Sequence, residues 1–205
     1  HAHPIVPLVL RYRLLRRMRD SWIVALDKLI DDDGRVHSRF HVARSFSGRL
    51  VNTNPDLARV PGRTEEMARI RRAFVAPPGW RLVSADYSQI ELRIMAHLSG
   101  DELLLAAFHS GQDVHSQTAR DVFGAAAEAN PSEYRRRAKI INYSILYGKS
   151  DFGLAQDLKI PQREAKAFIQ SYFATYPGVR RWLDENLADA ASSGAVRTMF
   201  GRIRP

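Results

Sequence analysis

Apolar and basic positions alternate with a helical rhythm over residues 8–30 (LVLRYRLLRRMRDSWIVALDKLI), and Asp20-Ser21 is the expected start of a second helical piece. Asp31-Asp-Asp-Gly34 reads as a turn. Val36 to Leu50 reads as short strands punctuated by Gly48, and Asn52-Thr-Asn-Pro55 as a loop. A helix is expected from Thr64-Glu-Glu through Arg69 to Phe74, running toward a strand, with a turn at Pro77-Pro-Gly79. Arg81 to Ala85 is the strongest strand candidate, and a helix should follow from Gln89 to Leu98. From Asp101 onward the pattern is almost wholly helical, in pieces at 101–109, 113–123, 133–147, 151–158, 161–175 and 178–192. Glycines and prolines separate these pieces, and Gly194 ends the last. The expected fold class is α+β and predominantly helical, with strands confined to the first half.

A chain of 205 residues admits one large domain or parts of two, and its 45% hydrophobic content supports a packed core. The apolar runs are too short to span a bilayer, and no charged-then-apolar leader is expected from these residues. The absence of Cys excludes a disulfide scaffold and a thiolate zinc site. Charge says more: 31 basic residues against 22 acidic give +9, which points to a polyanionic partner such as nucleic acid. Composition alone also fits plain Arg-rich usage. The chain opens on His1-Ala-His-Pro without an initiator Met, and a fragment is expected.

Two stretches carry candidate chemistry. In Ser84-Ala-Asp-Tyr-Ser-Gln-Ile-Glu-Leu-Arg93, Asp86 and Glu91 stand five residues apart. On one strand that odd spacing sends them to opposite faces, and on one helix it is about 140° of rotation. If a strand ends near Asp86 and a helix begins near Gln89, both acids border one pocket from different elements and do different jobs. In the helix beginning at Glu133, residues Arg135, Lys139, Tyr143 and Tyr147 recur every four positions. Each step turns about 40° and rises ~6 Å, so the four form a stripe ~18 Å long. Ala138, Ile141 and Ile145 lie roughly opposite and should face the core. Two cations followed by two aromatics suit a nucleoside triphosphate. Alone, the helix somewhat better fits a solvated basic face whose Tyr residues pack on a neighbour.

Together the two stretches resemble the family A DNA polymerases, SADYSQIELR resembling that family's motif A and RRRAKIINYSILYG its motif B. Ser47-Gly-Arg-Leu50, Arg63-Thr-Glu-Glu66, Arg71-Arg-Ala-Phe74, Asp113-Val-His115, Tyr176-Pro-Gly-Val179 and Gly201-Arg202 extend the resemblance in order along the chain. The resemblance implies a partial palm of short antiparallel strands with a helical fingers subdomain. It divides the chain into a helical segment at the thumb/palm base (1–30), part of the palm with motif A (31–98) and fingers with the motif B helix (99–205). The implied activity is template-directed DNA synthesis in replication or repair, adding deoxynucleotides to a primer 3′-hydroxyl by two-metal phosphoryl transfer. The implied cofactor is Mg²⁺, two ions in the complete enzyme. The implied partners are primer–template DNA and deoxynucleoside triphosphates, for a cytoplasmic, nucleoid-associated bacterial monomer with no membrane partner.

The resemblance also assigns roles. Asp86 is similar to one of two palm aspartates that bridge the ions, with the carbonyl of Tyr87 as a further ligand. Glu91 resembles the residue that closes off the 2′ side of the incoming sugar, and Gln89 would line the same pocket. Lys139 and Arg135 would hold the triphosphate and, with Asp86, form the catalytic set. His115 would contact the phosphates, Tyr143 would pack against sugar and base, and Tyr147 would stand beside the templating position and Glu91. Arg49 resembles a minor-groove reader near the primer terminus, and Arg63 would contact the triphosphate or nearby DNA. Departures include Tyr143 where Phe is frequent, Ser144 where Gly is frequent, Asp56-Leu-Ala-Arg59 for an Asn-Leu-Gln-Asn-like string, Ala195 for an aromatic, and Ile203 within a basic triplet. The family's second metal-binding Asp falls in a His-Asp-Glu motif downstream of Gly201-Arg202. The chain ends at Pro205, so it is expected to hold half the metal site and to be inactive alone. The alternative is a non-catalytic DNA-binding remnant.

Overall fold

The apolar and basic residues of Ile5–Met18 form helix α1, and the helix does not restart at Asp20-Ser21 as the sequence suggests. It runs on through a π-helical stretch, Arg19–Val24, into a last turn, α2 (Ala25–Asp27). A capping Asp must leave helical geometry and turn to the backbone N–H groups ahead of it. Here Asp20 is instead held by guanidinium groups, Arg19 at 2.7 Å and Arg16 at 3.5 Å. The computed structural model describes residues 3–62 and 64–204, which fall into two compact units, His1–Ser84 and Ala85–Pro205.

In the first unit, the strands expected over 36–50 shrink to β1 (Arg39–His41), which pairs antiparallel with β2 (Val51–Thr53), a strand that takes in Asn52 and Thr53 of the expected loop, so that Phe40 faces Asn52. A single bridge between Ile30 and Val36 closes the Asp31–Gly34 turn. Thr64 caps α3 (Glu65–Arg71) by accepting from the N–H of Met67 at 3.2 Å. The strand expected at 81–85 is absent. No partner strand pairs with it among the described residues, and Leu82 and Val83 stay exposed. Strand propensity needs a hydrogen-bonded neighbour to become a strand, and that neighbour is not encoded locally.

The second unit is helical: α4 (Ile90–Ser99), α5 (Glu102–His109), α6 (Val114–Phe123), α7 (Ala125–Ala129), α8 (Pro131–Leu146), α9 (Asp151–Leu158), α10 (Gln162–Thr175) and α11 (Pro177–Ser193). A short pair, β3 (Val196–Arg197) with β4 (Ile203–Arg204), follows and was not legible in the sequence. Apart from α7, which the sequence pattern did not reveal, the helices after Asp101 begin within about two residues of where the sequence puts them, several of them behind local caps. Asp101, Asp113, Asn130 and Ser150 each accept a backbone N–H of the first turn they precede. Leu92, Met95, Leu104, Val114, Ile141, Leu154, Tyr172, Tyr176 and Val179 form one buried core to which α4, α5, α6, α8, α9, α10 and α11 contribute, while Ala127 of α7 packs in a smaller cluster with Ala119 and Ala138. Among the described residues no helix is long and apolar enough to cross a membrane.

Candidate functional site

α8 presents the stripe as its spacing requires. Ala138, Ile141 and Ile145 are buried, whereas Arg135, Lys139 and Tyr147 are exposed and Tyr143 is half-buried. The rings of Tyr143 and Tyr147 stack, with centroids 6.4 Å apart and planes at 18°. Burial raises the pKa of the Tyr143 hydroxyl, and the nearby negative charges of Glu91 and Asp86 raise it further. The two acids of SADYSQIELR therefore lie in the same electrostatic neighbourhood as the aromatic half of the stripe.

Those acids arrive from different local structures. Asp86 is exposed in an irregular segment, and Glu91 sits in the first turn of α4, where the helix dipole favours a carboxylate. Between them Gln89 turns the chain with φ 54° and ψ 36°. That left-handed conformation is costly for a side chain with a Cβ, and such strain concentrates at functional positions.

Of the two cations of the stripe, Arg135 is engaged within the unit. Arg135 donates from Nε and Nη2 to the two carboxylate oxygens of Asp113 at 3.0 and 2.9 Å. Asp113 also caps α6, accepting from the N–H of Ser116 at 2.8 Å. Burial opposes its ionisation, but the bonds from Arg135 and Ser116 outweigh that and hold its pKa at about 2 against an ordinary 3.8. His115 is buried, 5.9 Å ring to ring from Tyr143. Burial lowers its pKa below 6.5; Asp113 opposes this while Arg135 and Lys139 reinforce it, so the imidazole is neutral at pH 7. A cavity of about 280 Å³ lies on the other flank of α8, between Lys139, Tyr143, Tyr147 and the Lys149–Asp157 ion pair.

The second unit thus groups Asp86, Glu91, Tyr143 and Tyr147, and groups His115 with Arg135 and Lys139; Tyr143 belongs to both sets. Arg49 belongs to the first unit, in an irregular stretch before β2, and Arg63 lies outside the described residues. Asp113 was legible only as part of a matched tripeptide, and its grip on Arg135 depends on the packing of α6 against α8. Among the described residues no cluster of three or more His, Cys, Asp or Glu side chains is arranged to hold a metal ion. The Asp86 carboxylate and the Tyr87 carbonyl are oxygen donors of the kind a hard cation takes, but they supply only part of a six-oxygen shell.

The model of DNA polymerase family A matches residues 1–205. The chain is 48% identical over 204 residues to the thermostable DNA polymerase I of Thermus aquaticus, covering 99% of this chain and 24% of that protein. It is 45% identical over 196 residues to DNA polymerase I of Pseudomonas aeruginosa, covering 95% of this chain and 22% of that protein. The chain therefore spans about a quarter of the length of these curated relatives. Among solved structures, the polymerase domain of Pol1 from M. smegmatis, in complex with DNA primer-template and dNTP, aligns with a TM-score of 0.88 and 40% identity. That alignment covers 98% of this chain and 36% of the other.

Proposed function

Because this chain belongs to DNA polymerase family A, we propose that it carries the nucleotide-handling part of a template-directed DNA polymerase. The observation that supports this most directly is the neighbourhood around Tyr143, where Asp86, Glu91 and His115 join the α8 stripe. On this reading residues 1–30 belong to the thumb/palm base, 31–98 to the palm and 99–205 to the fingers.

The substrate is a deoxynucleoside triphosphate, and the partner is primer–template DNA. Arg135 and Lys139 bind the phosphates, and their fixed charges offset the negative charge that grows as the α-phosphate is attacked. Tyr143 and Tyr147 give the sugar and base an aromatic surface, while Gln89 and Glu91 bound the sugar, Glu91 leaving no room for a 2′-hydroxyl. Asp86 and the Tyr87 carbonyl would hold Mg²⁺, which when bound activates the primer hydroxyl and neutralises phosphate charge. Arg49 reads minor-groove acceptors common to all base pairs, and Arg63 contacts the triphosphate or adjacent DNA.

Substitution in the polymerase carrying this sequence tests the assignment. Asp86→Ala should abolish nucleotide addition and leave primer–template affinity within about twofold, because that affinity comes from many spread phosphate contacts. Lys139→Ala should weaken triphosphate binding and lower kcat roughly 100- to 1,000-fold, the loss typical of one preorganised group facing developing charge. If Asp86→Ala lost DNA binding in proportion to activity, the residue would be structural and the reading wrong.

A further inference from the structure

Behind His115, α6, α8 and the α10–α11 junction share a buried row of polar groups that the chemistry above does not use. Asn142 Nδ2 lies 3.2 Å from His115 Nδ1 and 3.1 Å from Thr118 Oγ1. The Tyr176 hydroxyl lies 3.3 Å from Thr118 Oγ1 and 2.9 Å from Asp121 Oδ2, and Gln117 donates to the other oxygen of Asp121. His115, Thr118, Asn142 and Tyr176 are each at most 2% exposed, so each contact in the row needs its proton from within it.

Counting those protons leaves one solution. A carboxylate only accepts, so Tyr176 gives its hydroxyl proton to Asp121, by the shorter of its two contacts. Thr118 then donates to the Tyr176 oxygen and accepts from Asn142. That turns the Asn142 nitrogen, with its two protons, toward both Thr118 and His115. His115 Nδ1 must accept, and the ring's proton stands on Nε2. Turning the amide over would leave the Thr118–Tyr176 contact with no proton. The other amide position of Asn142, taken by Oδ1, is buried without a hydrogen-bond partner in either orientation of the amide, so the choice rests on the nitrogen's two contacts.

We infer that Asn142, Thr118 and Tyr176 are positioning residues that fix His115 as the Nε2–H imidazole, a neutral donor for a polyphosphate oxygen. The identity of the ligand rests on the polymerase reading; the proton relay does not. Asp113, Arg135, Lys139 and Tyr143 are the other ionisable groups around the ring. An Nε2–H edge among them can pair with phosphate, whereas the opposite tautomer would set a lone pair against it.

Long-range proton–nitrogen NMR on the 205-residue chain tests this, with the His115 signals identified by their loss in His115→Asn. The expected spectrum has a pyrrole-like Nε2 and a pyridine-like Nδ1. Asn142→Asp should draw the proton to Nδ1, because the carboxylate accepts there. Thr118→Val should give mixed tautomers, and Thr118→Ser, which keeps the hydroxyl, should restore the original pattern. A proton on Nδ1 in the unaltered chain overturns the relay, as does an unchanged pattern in folded Asn142→Asp. The unaltered chain decides the matter even if a variant misfolds. Adding tripolyphosphate should shift Nε2. A proton on Nε2 with no such shift keeps the relay and removes the phosphate role of His115.

Discussion

Tyr143 is the residue whose chemistry is most particular to this chain. Its hydroxyl is held protonated by burial and by the charges of Glu91 and Asp86, so it remains a donor over the working pH range. On the polymerase reading, the ring packs on the sugar and the hydroxyl reaches the 3′ side and the β-phosphate. A normal substrate offers its own 3′-hydroxyl there; a dideoxynucleotide lacks it, and an unpaired buried phosphate oxygen costs about 1–3 kcal/mol. Tyr143 can supply the missing donor. Weak discrimination against dideoxynucleotides is therefore expected, with Tyr143→Phe raising it by about one to two orders of magnitude. Competing chain terminators against normal nucleotides with both enzymes checks this, and equal ratios would show that the hydroxyl does not reach the nucleotide. Tyr143 was legible in the sequence because helical spacing alone sets it beside Lys139 and Tyr147. Asn142 and Thr118 were not, since what a buried polar side chain bonds to depends on which helix packs over it.

At the scale of elements, the corner between α4, α5 and α11 hangs on one carboxylate. Asp101 is buried, caps α5 through the N–H of Leu104, and accepts the N–H of Gly178 at 2.9 Å. A Cβ added at Gly178 would come within 2.9 Å of the Asp101 Cα, a backbone atom that cannot swing aside. Gly178→Ala should therefore push α11 off the corner and cost about 1–3 kcal/mol. Thermal unfolding followed by circular dichroism measures it, at roughly 2–4 °C per kcal/mol for a chain of this size. An unchanged Tm would mean that α11 moves aside freely. The same locality explains which elements the sequence revealed. Caps such as Asp101, Asp113 and Ser150 precede the helices they start, so the helices after Asp101 were readable to within about two residues at each end, except the five-residue α7, which the sequence reading missed. The segment 81–85 pairs with no strand among the described residues, and β3 and β4, two residues each, are too short to show an alternating pattern, so there the reading failed in both directions.

Over the whole molecule the balance of +9 already counts every carboxylate as ionised, and basic side chains keep some of them ionised well below the usual carboxylate range. Glu133, bonded by Arg136 and Arg137, has its pKa drawn to about 2 from 4.5, and Asp113 to about 2 from 3.8. Both are depressed in the folded state, so their stabilisation is complete above about 4.5 and is lost as the pH falls toward 2. The urea midpoint should fall across that window, and Asp113→Asn, which can still cap α6, should flatten the slope. A midpoint that rises on acidification would contradict it. Salt should weaken the effect, because these pairs are partly exposed. Finally, the chain passes from the first unit to the second through residues 74–89 with neither helix nor strand, and Trp80 and Leu82 are largely exposed there. Proteases cut such segments before they cut packed helices. Brief digestion should leave a resistant piece whose new N-terminus falls between Trp80 and Tyr87, read by mass spectrometry. A resistant piece that begins inside α4 would sink the idea. Survival under a protease would then sort the residues by what they do, with Glu91 and the α8 stripe outlasting the cut together while Arg49 goes with the part that is lost.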